Sequence, residues 1–123
     1  MDFCFAKGTG KLNFFMARYA CQQLGGFLAE PRSDYISNVI TFFDFQEPFF
    51  IGLREKDGDG DFRWQTDWST LSYTDWDVGQ PDRPEHWPKD CVTINKNDRW
   101  DDKNCYVKRE YLCQAKLQWY TLL

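Results

Sequence analysis

Two short stretches of the chain concentrate groups that could hold a ligand. The first, Gly79 to Cys91, reads GQPDRPEHWPKDC and sets carboxylates, an amide, a tryptophan, a histidine, basic residues and a cysteine around three prolines. Proline fixes φ and removes a backbone donor, so few shapes are open to this segment, and polar groups on such a backbone can be aimed. The second stretch is Trp100, Asp101 and Asp102, an aromatic ring followed by paired carboxylates. Oxygen donors of these kinds suit Ca²⁺, which takes six to eight oxygens at about 2.3 to 2.6 Å. Singly, each stretch also fits ordinary solvated loop polarity; their joint occurrence is the more specific signal. His86 is the sole histidine and has no serine or cysteine nucleophile in a recognisable setting, so a catalytic triad lacks parts and the chain does not read as an enzyme. The DGDGD turn at 57–61 is no EF-hand, because Phe62 stands where that loop needs glycine and Trp68 where it needs glutamate.

The whole chain narrows the chemistry further. Its 123 residues are one domain by length, and a chain of that size buries roughly two thirds of its unfolded surface. Aromatic residues make up 19% and can supply much of the core. A net charge of −4 and a pI near 4.9 oppose a nucleic-acid groove, which needs clustered Lys and Arg, and favour a divalent cation. No window approaches the ~20 apolar residues of a membrane span, and MDFCFAKG lacks the apolar core of a signal peptide. Met1 reads as an added start or as the edge of a fragment whose upstream part is missing. Five cysteines occur without a CxxC pair, so disulfides in an extracellular setting are the better reading than zinc, with one cysteine left over.

The elements that must position these groups are legible in part. Asn13 caps FFMARYACQQL, where Phe14, Ala17, Cys21 and Leu24 recur at helical spacing before Gly25 and Gly26. Ser33 caps a second helix with Ile36, Val39, Ile40 and Phe43 as its stripe. After Pro48 the pattern turns to β-type runs: FFIGL, FRW, CVTIN and REYLCQA. Two helices followed by strands around a long irregular segment indicate an α+β domain.

Helix with Cys21, LGGFLAEPRS, FIGL, the turn before FRW, QPD, a DC pair, WDDKNC and YLC follow one another in an order that resembles the C-type lectin-like domain across nearly the whole chain. The resemblance implies two helices, small antiparallel sheets and a long irregular ligand-binding loop. It implies bridges from Cys21 to Cys113 and from Cys91 to Cys105, contributing about 4.5 and 3 kcal/mol in the chain-entropy model. Cys4 then matches the second cysteine of an N-terminal hairpin whose partner lies upstream, and is expected to be a free thiol or to link two chains. Residues 114–123 are expected to finish the last strand and form a tail that packs back or meets a partner.

The resemblance also implies a calcium site. Gln80 and Asp82 flank Pro81, which is cis in the family, and Asp101 and Asp102 complete the set; vicinal sugar hydroxyls bind the ion and the same side chains. Gln-Pro-Asp resembles the version selective for galactose and N-acetylgalactosamine, and Trp87 offers a ring either for a galactose face or for packing within the loop. One departure stands out: where the family has a calcium-binding glutamate this chain has Lys89, whose repulsion with a divalent ion at ~4 Å is about 8 kcal/mol at an effective dielectric near 20 unless its stem turns outward. Asp101, where the family more often has asparagine, offsets part of this, and Glu85 is a further donor in reach. Glu55, Asp59 and Asp90 align with a second ion site of some relatives, although Arg83 and Lys89 replace acids there and a solvated polar turn accounts for the same residues. The rival expectation is a lectin-like domain that binds a protein ligand without calcium.

Overall fold

The computed structural model describes residues 3–55, 60–82 and 90–116. Helix α1 (Phe14–Gln23) starts where the sequence places it, with Asn13 Oδ1 accepting from the Met16 N–H at 2.9 Å. Phe14, Ala17 and Cys21 are buried, whereas Leu24, expected on the same stripe, closes the helix and is 71% exposed. In α2 (Asp34–Ile40) the Ser33 hydroxyl accepts from the Ile36 N–H at 3.3 Å. This helix stops before Phe43, whose ring meets Phe5 at 5.9 Å from beyond the helix end.

The strands are β1 (Phe3–Lys7), β2 (Phe27–Leu28), β3 (Phe49–Glu55), β4 (Phe62–Trp64), β5 (Asp90–Ile94), β6 (Trp100–Asn104) and β7 (Glu110–Lys116). Their order is β1-β7-β3-β5-β6, with β2 on β7 and β4 on β3. All pairings are antiparallel except β3 with β7, where Phe49 and Phe50 run parallel to Glu110 and Tyr111 and join the two antiparallel groups. FIGL lies at the centre: Phe50, Ile51 and Leu53 are fully buried, as a strand covered on both faces requires. Gly52 has to be glycine, since a Cβ there would meet the Leu28 carbonyl oxygen at 2.7 Å.

Cys21 bridges Cys113, tying α1 to β7, and Cys91 bridges Cys105, tying β5 to the end of β6. Cys4 is a free, exposed thiol on β1. Trp100 anchors the long irregular segment: its ring is fully buried and meets Trp64 at 5.6 Å and Trp76 at 5.4 Å, both edge to face. Its backbone N–H donates to the Asp75 carbonyl at 2.9 Å and its carbonyl accepts from the Asp77 N–H at 2.9 Å. The start of β6 therefore fixes where the loop carrying Gln80 begins.

Candidate metal centre

From Asp77 the backbone is led into the loop by short-range bonds. Asp77 accepts from the Val78 N–H at 2.8 Å and from the Asn95 Nδ2 at 2.7 Å, and these donors, the Asn95 amide foremost, hold its carboxyl below the ordinary carboxylate range. The Gln80 N–H donates to the Asp77 carbonyl at 3.0 Å, and Gly79 turns the chain at φ +79°, a value that glycine adopts at no steric cost. The Gln80–Pro81 peptide is cis, as the resemblance implied.

The turn brings Asp82 back onto β6, where its N–H donates to Asp102 Oδ1 at 3.2 Å. One carboxylate oxygen from each of Asp82, Asp101 and Asp102 lies within 4.8 Å of the others. Oxygens on opposite sides of a calcium ion are about 4.6 to 5.2 Å apart, twice the Ca–O distance, so this spacing fits one shared ion. Two oxygens here are left short of partners among the described residues: Asp102 Oδ2 and Gln80 Oε1 are buried and accept no hydrogen bond. Buried acceptors without donors are costly, and a cation satisfies them directly. Gln80, Asp82, Asp101 and Asp102 thus have the donor chemistry for Ca²⁺, and at Asp82, Asp101 and Asp102 also the spacing.

Lys103 enters this centre without having been expected. Its Nζ lies 3.4 Å from Asp101 Oδ2, the two side chains being on the same face of β6 by the two-residue period of a strand. That period was visible in WDDK and could have found it. Arg83, Glu85, His86, Trp87 and Lys89 lie outside the described residues.

The second expected group is placed differently from a solvated turn. Glu55 and Asp90 are cross-strand partners on β3 and β5 and both are fully buried. Glu55 Oε2 accepts from the Gly60 N–H at 2.6 Å. Asp59 lies outside the described residues, so the structure brings two of the three together.

The "Lectin C-type domain" family matches residues 10–115, and the chain belongs to that family. A human relative, the low affinity immunoglobulin epsilon Fc receptor, is 32% identical over 102 residues, covering 83% of this chain and 31% of the receptor. The chain thus spans about a third of the length of that receptor. Among solved structures, the carbohydrate-recognition domain of the mouse scavenger receptor C-type lectin superposes with a TM-score of 0.87 at 24% identity, covering 96% of this chain and 93% of that one. The cow C-type carbohydrate-recognition domain of CD23, determined in the presence of a GlcNAc2Man3 oligosaccharide, gives 0.84 at 28% identity, covering 96% and 91%. These relatives are lectins and receptors, and no helix among the described residues is long and apolar enough to cross a membrane.

Proposed function

We propose that this domain, outside the cell, binds Ca²⁺ through Gln80, Asp82, Asp101 and Asp102 and thereby recognises glycans ending in galactose or N-acetylgalactosamine, without catalysing a reaction. The observation that carries this reading is the cluster of Asp82, Asp101 and Asp102 carboxylates, in which Asp102 Oδ2 is buried and accepts no bond among the described residues. When bound, the ion supplies open coordination positions for two vicinal sugar hydroxyls. The chain's part is to orient them: Asp82, on the exposed side of the cluster, accepts from a hydroxyl, the Gln80 amide both donates and accepts, and Asp102 fixes the loop through the Asp82 N–H. The Gln80, Pro81, Asp82 order supports galactose over mannose, and Trp87 supplies a candidate stacking face.

Calorimetry of metal-free protein tests the metal, and a glycan array in calcium tests the sugar. The expected result is heat and a rise in melting temperature by ~10 mM Ca²⁺, since a ligand of the native state must stabilise it, together with signals from galactose-terminated glycans that vanish on chelation. Absence of both heat and stabilisation sinks the reading. Gln80→Glu combined with Asp82→Asn should move the preference toward mannose; if it stays on galactose, the loop does not set selectivity.

A calcium-independent domain that engages a protein is the second reading. Lys103 favours it, because an ammonium 3.4 Å from Asp101 already neutralises part of the cluster, and Lys89 adds a second cation in the same loop region of the sequence. A blank array from protein that binds no calcium would select it.

A further inference from the structure

The donors of the candidate calcium centre come from two separate pieces of chain, and a side chain outside both ties those pieces together. Gln80 and Asp82 belong to the loop that follows Trp76, whereas Asp101 and Asp102 belong to β6. Asn95 follows directly on β5, at the start of the turn into β6, and uses its whole amide. Its Oδ1 accepts from the Asn97 N–H at 2.9 Å and from the Arg99 N–H at 3.2 Å, while its Nδ2 donates to Asp77 Oδ2 at 2.7 Å across a separation of 18 residues. Its backbone N–H donates to the Arg99 carbonyl at 2.8 Å, and its carbonyl accepts from the Asp98 N–H at 2.9 Å. The turn that leads Trp100 into β6 is therefore built around this residue.

Asp77 is the matching hub of the loop. Its carboxylate takes the Val78 N–H on Oδ1 and Asn95 on Oδ2, with a weaker bond from the Asn97 side chain. Its backbone N–H donates to the Trp100 carbonyl at 2.9 Å, and its carbonyl accepts from the Gln80 N–H at 3.0 Å. These bonds fix the direction in which the chain leaves Trp76 for Gln80. The residue type at 95 follows from its surroundings, since an oxygen must face two N–H groups while a nitrogen faces a carboxylate. Aspartate there would keep the turn as an acceptor, but would set a second carboxylate against Asp77.

Resting on the calcium reading above, we propose that Asn95 is a positioning residue for the metal: through Asp77 it holds the Gln80 and Asp82 loop in register with Asp101 and Asp102. A donor set assembled before the ligand arrives binds more tightly, because the loop is already ordered and need not be ordered at binding. The Asn95–Asp77 bond suits that part, being half-buried and charge-assisted, and a charge-assisted bond is about twice as strong as a neutral one. The bond from the Asp82 N–H to Asp102 cannot take its place, since it joins two of the proposed ligand residues to each other and anchors neither to the turn. Asn95 thus acts on affinity without being a ligand.

Exchanging the two side chains tests this. Asn95→Asp adds a negative charge, which by itself would strengthen calcium binding; the positioning role predicts the reverse, an affinity about fivefold weaker by calorimetry. Asn95→Ser, able to accept within the turn but too short to reach Asp77, should give a similar loss with no new charge. The double variant Asn95→Asp with Asp77→Asn reverses donor and acceptor at unchanged net charge and should return affinity to within about twofold of wild type. In EDTA, with no metal present, protection of the Gln80 amide against hydrogen exchange should fall in both Asn95 variants and recover in the double variant. The proposal is overturned if both Asn95 variants bind calcium as tightly as wild type, if the double variant binds no more tightly than Asn95→Asp alone, or if Gln80 protection in EDTA is the same in all. A wild type that takes up no calcium sinks the parent reading instead, and the exchange in EDTA then decides by itself whether Asn95 positions the loop.

Discussion

Glu30 and Asp102 are equally buried, at 3% and 4% exposure, yet the molecule treats their carboxylates in opposite ways. Around Glu30 every acceptor is used: Oε1 takes Arg32 Nε at 3.0 Å, Arg32 Nη2 at 2.7 Å and the Thr66 hydroxyl at 2.9 Å, and Oε2 takes the Thr66 N–H at 2.9 Å. Arg32 goes on to Asp67 at 2.9 Å and lies over the Trp64 ring, so this end of the molecule is closed by protein donors alone. Among the described residues the Asp102 carboxylate accepts one bond, from the Asp82 N–H, and has two neighbouring carboxylates that repel it. Burial is therefore a poor guide to role, and the donor count around the carboxylate is a better one: the first carboxylate is a staple, the second the group we propose as a cation ligand.

Four substitutions or titrations sharpen that contrast. The largest effect should come from Glu30→Ala, which leaves the Arg32 guanidinium and the Thr66 N–H without their acceptor and is expected to cost about 3 kcal/mol by denaturant unfolding, with calcium affinity unchanged in the folded fraction. A loss below ~1 kcal/mol would put Glu30 among ordinary surface pairs. Asp102→Asn should act in the opposite sense. In EDTA it relieves a buried, underpartnered charge and raises stability by up to about 1 kcal/mol, while the calcium-induced rise in melting temperature disappears. If both carboxylate substitutions destabilise alike, the distinction between the two regions fails.

Lys103→Gln is a smaller change, because the lysine is partly solvated; it should tighten calcium about fivefold, ~1 kcal/mol, as Asp101 loses its competing cation. Unchanged affinity in calorimetry would place the ammonium outside the ion's field. The smallest effect concerns pH. The folded-state pKa of Asp77 is depressed by Asn95 and the Val78 N–H, so its contribution to holding the loop is fully present above the unfolded value near 3.9 and is lost as pH falls through the lower folded value. The protection of the Val78 amide relative to its intrinsic exchange should fall only below pH ~4 in wild type, and Asp77→Asn should remove that dependence; a loss of protection as pH falls from 7 to 5 would contradict it.

Local rules made much of this legible in advance. Asn13 and Ser33 announce their helices because a cap is decided within three residues, and FIGL announces a buried strand because its apolar run has no polar face. QPD and WDD marked the loop and the acidic pair, and the cis bond and both bridges are those that the resemblance implied. Strand β1 was expected only through the resemblance, as part of an N-terminal hairpin at Cys4, and β6 was missed because WDDKN has almost no apolar pattern: it is held as a strand by β5 pairing and by Trp100 in the core.

What the sequence by itself determined is the inventory of donors and their order along the chain. Only the tertiary structure decided which carboxylates are satisfied. Glu30 meets Thr66 and Gln114 across separations of 36 and 84 residues, Asp82 meets Asp102 across 20, and Arg18 meets Gln65 across 47. No local periodicity encodes such meetings, because they follow from how β3, β6 and β7 stack around Trp64, Trp100 and Phe50. The energy of a buried charge depends on those few neighbours rather than on its own identity.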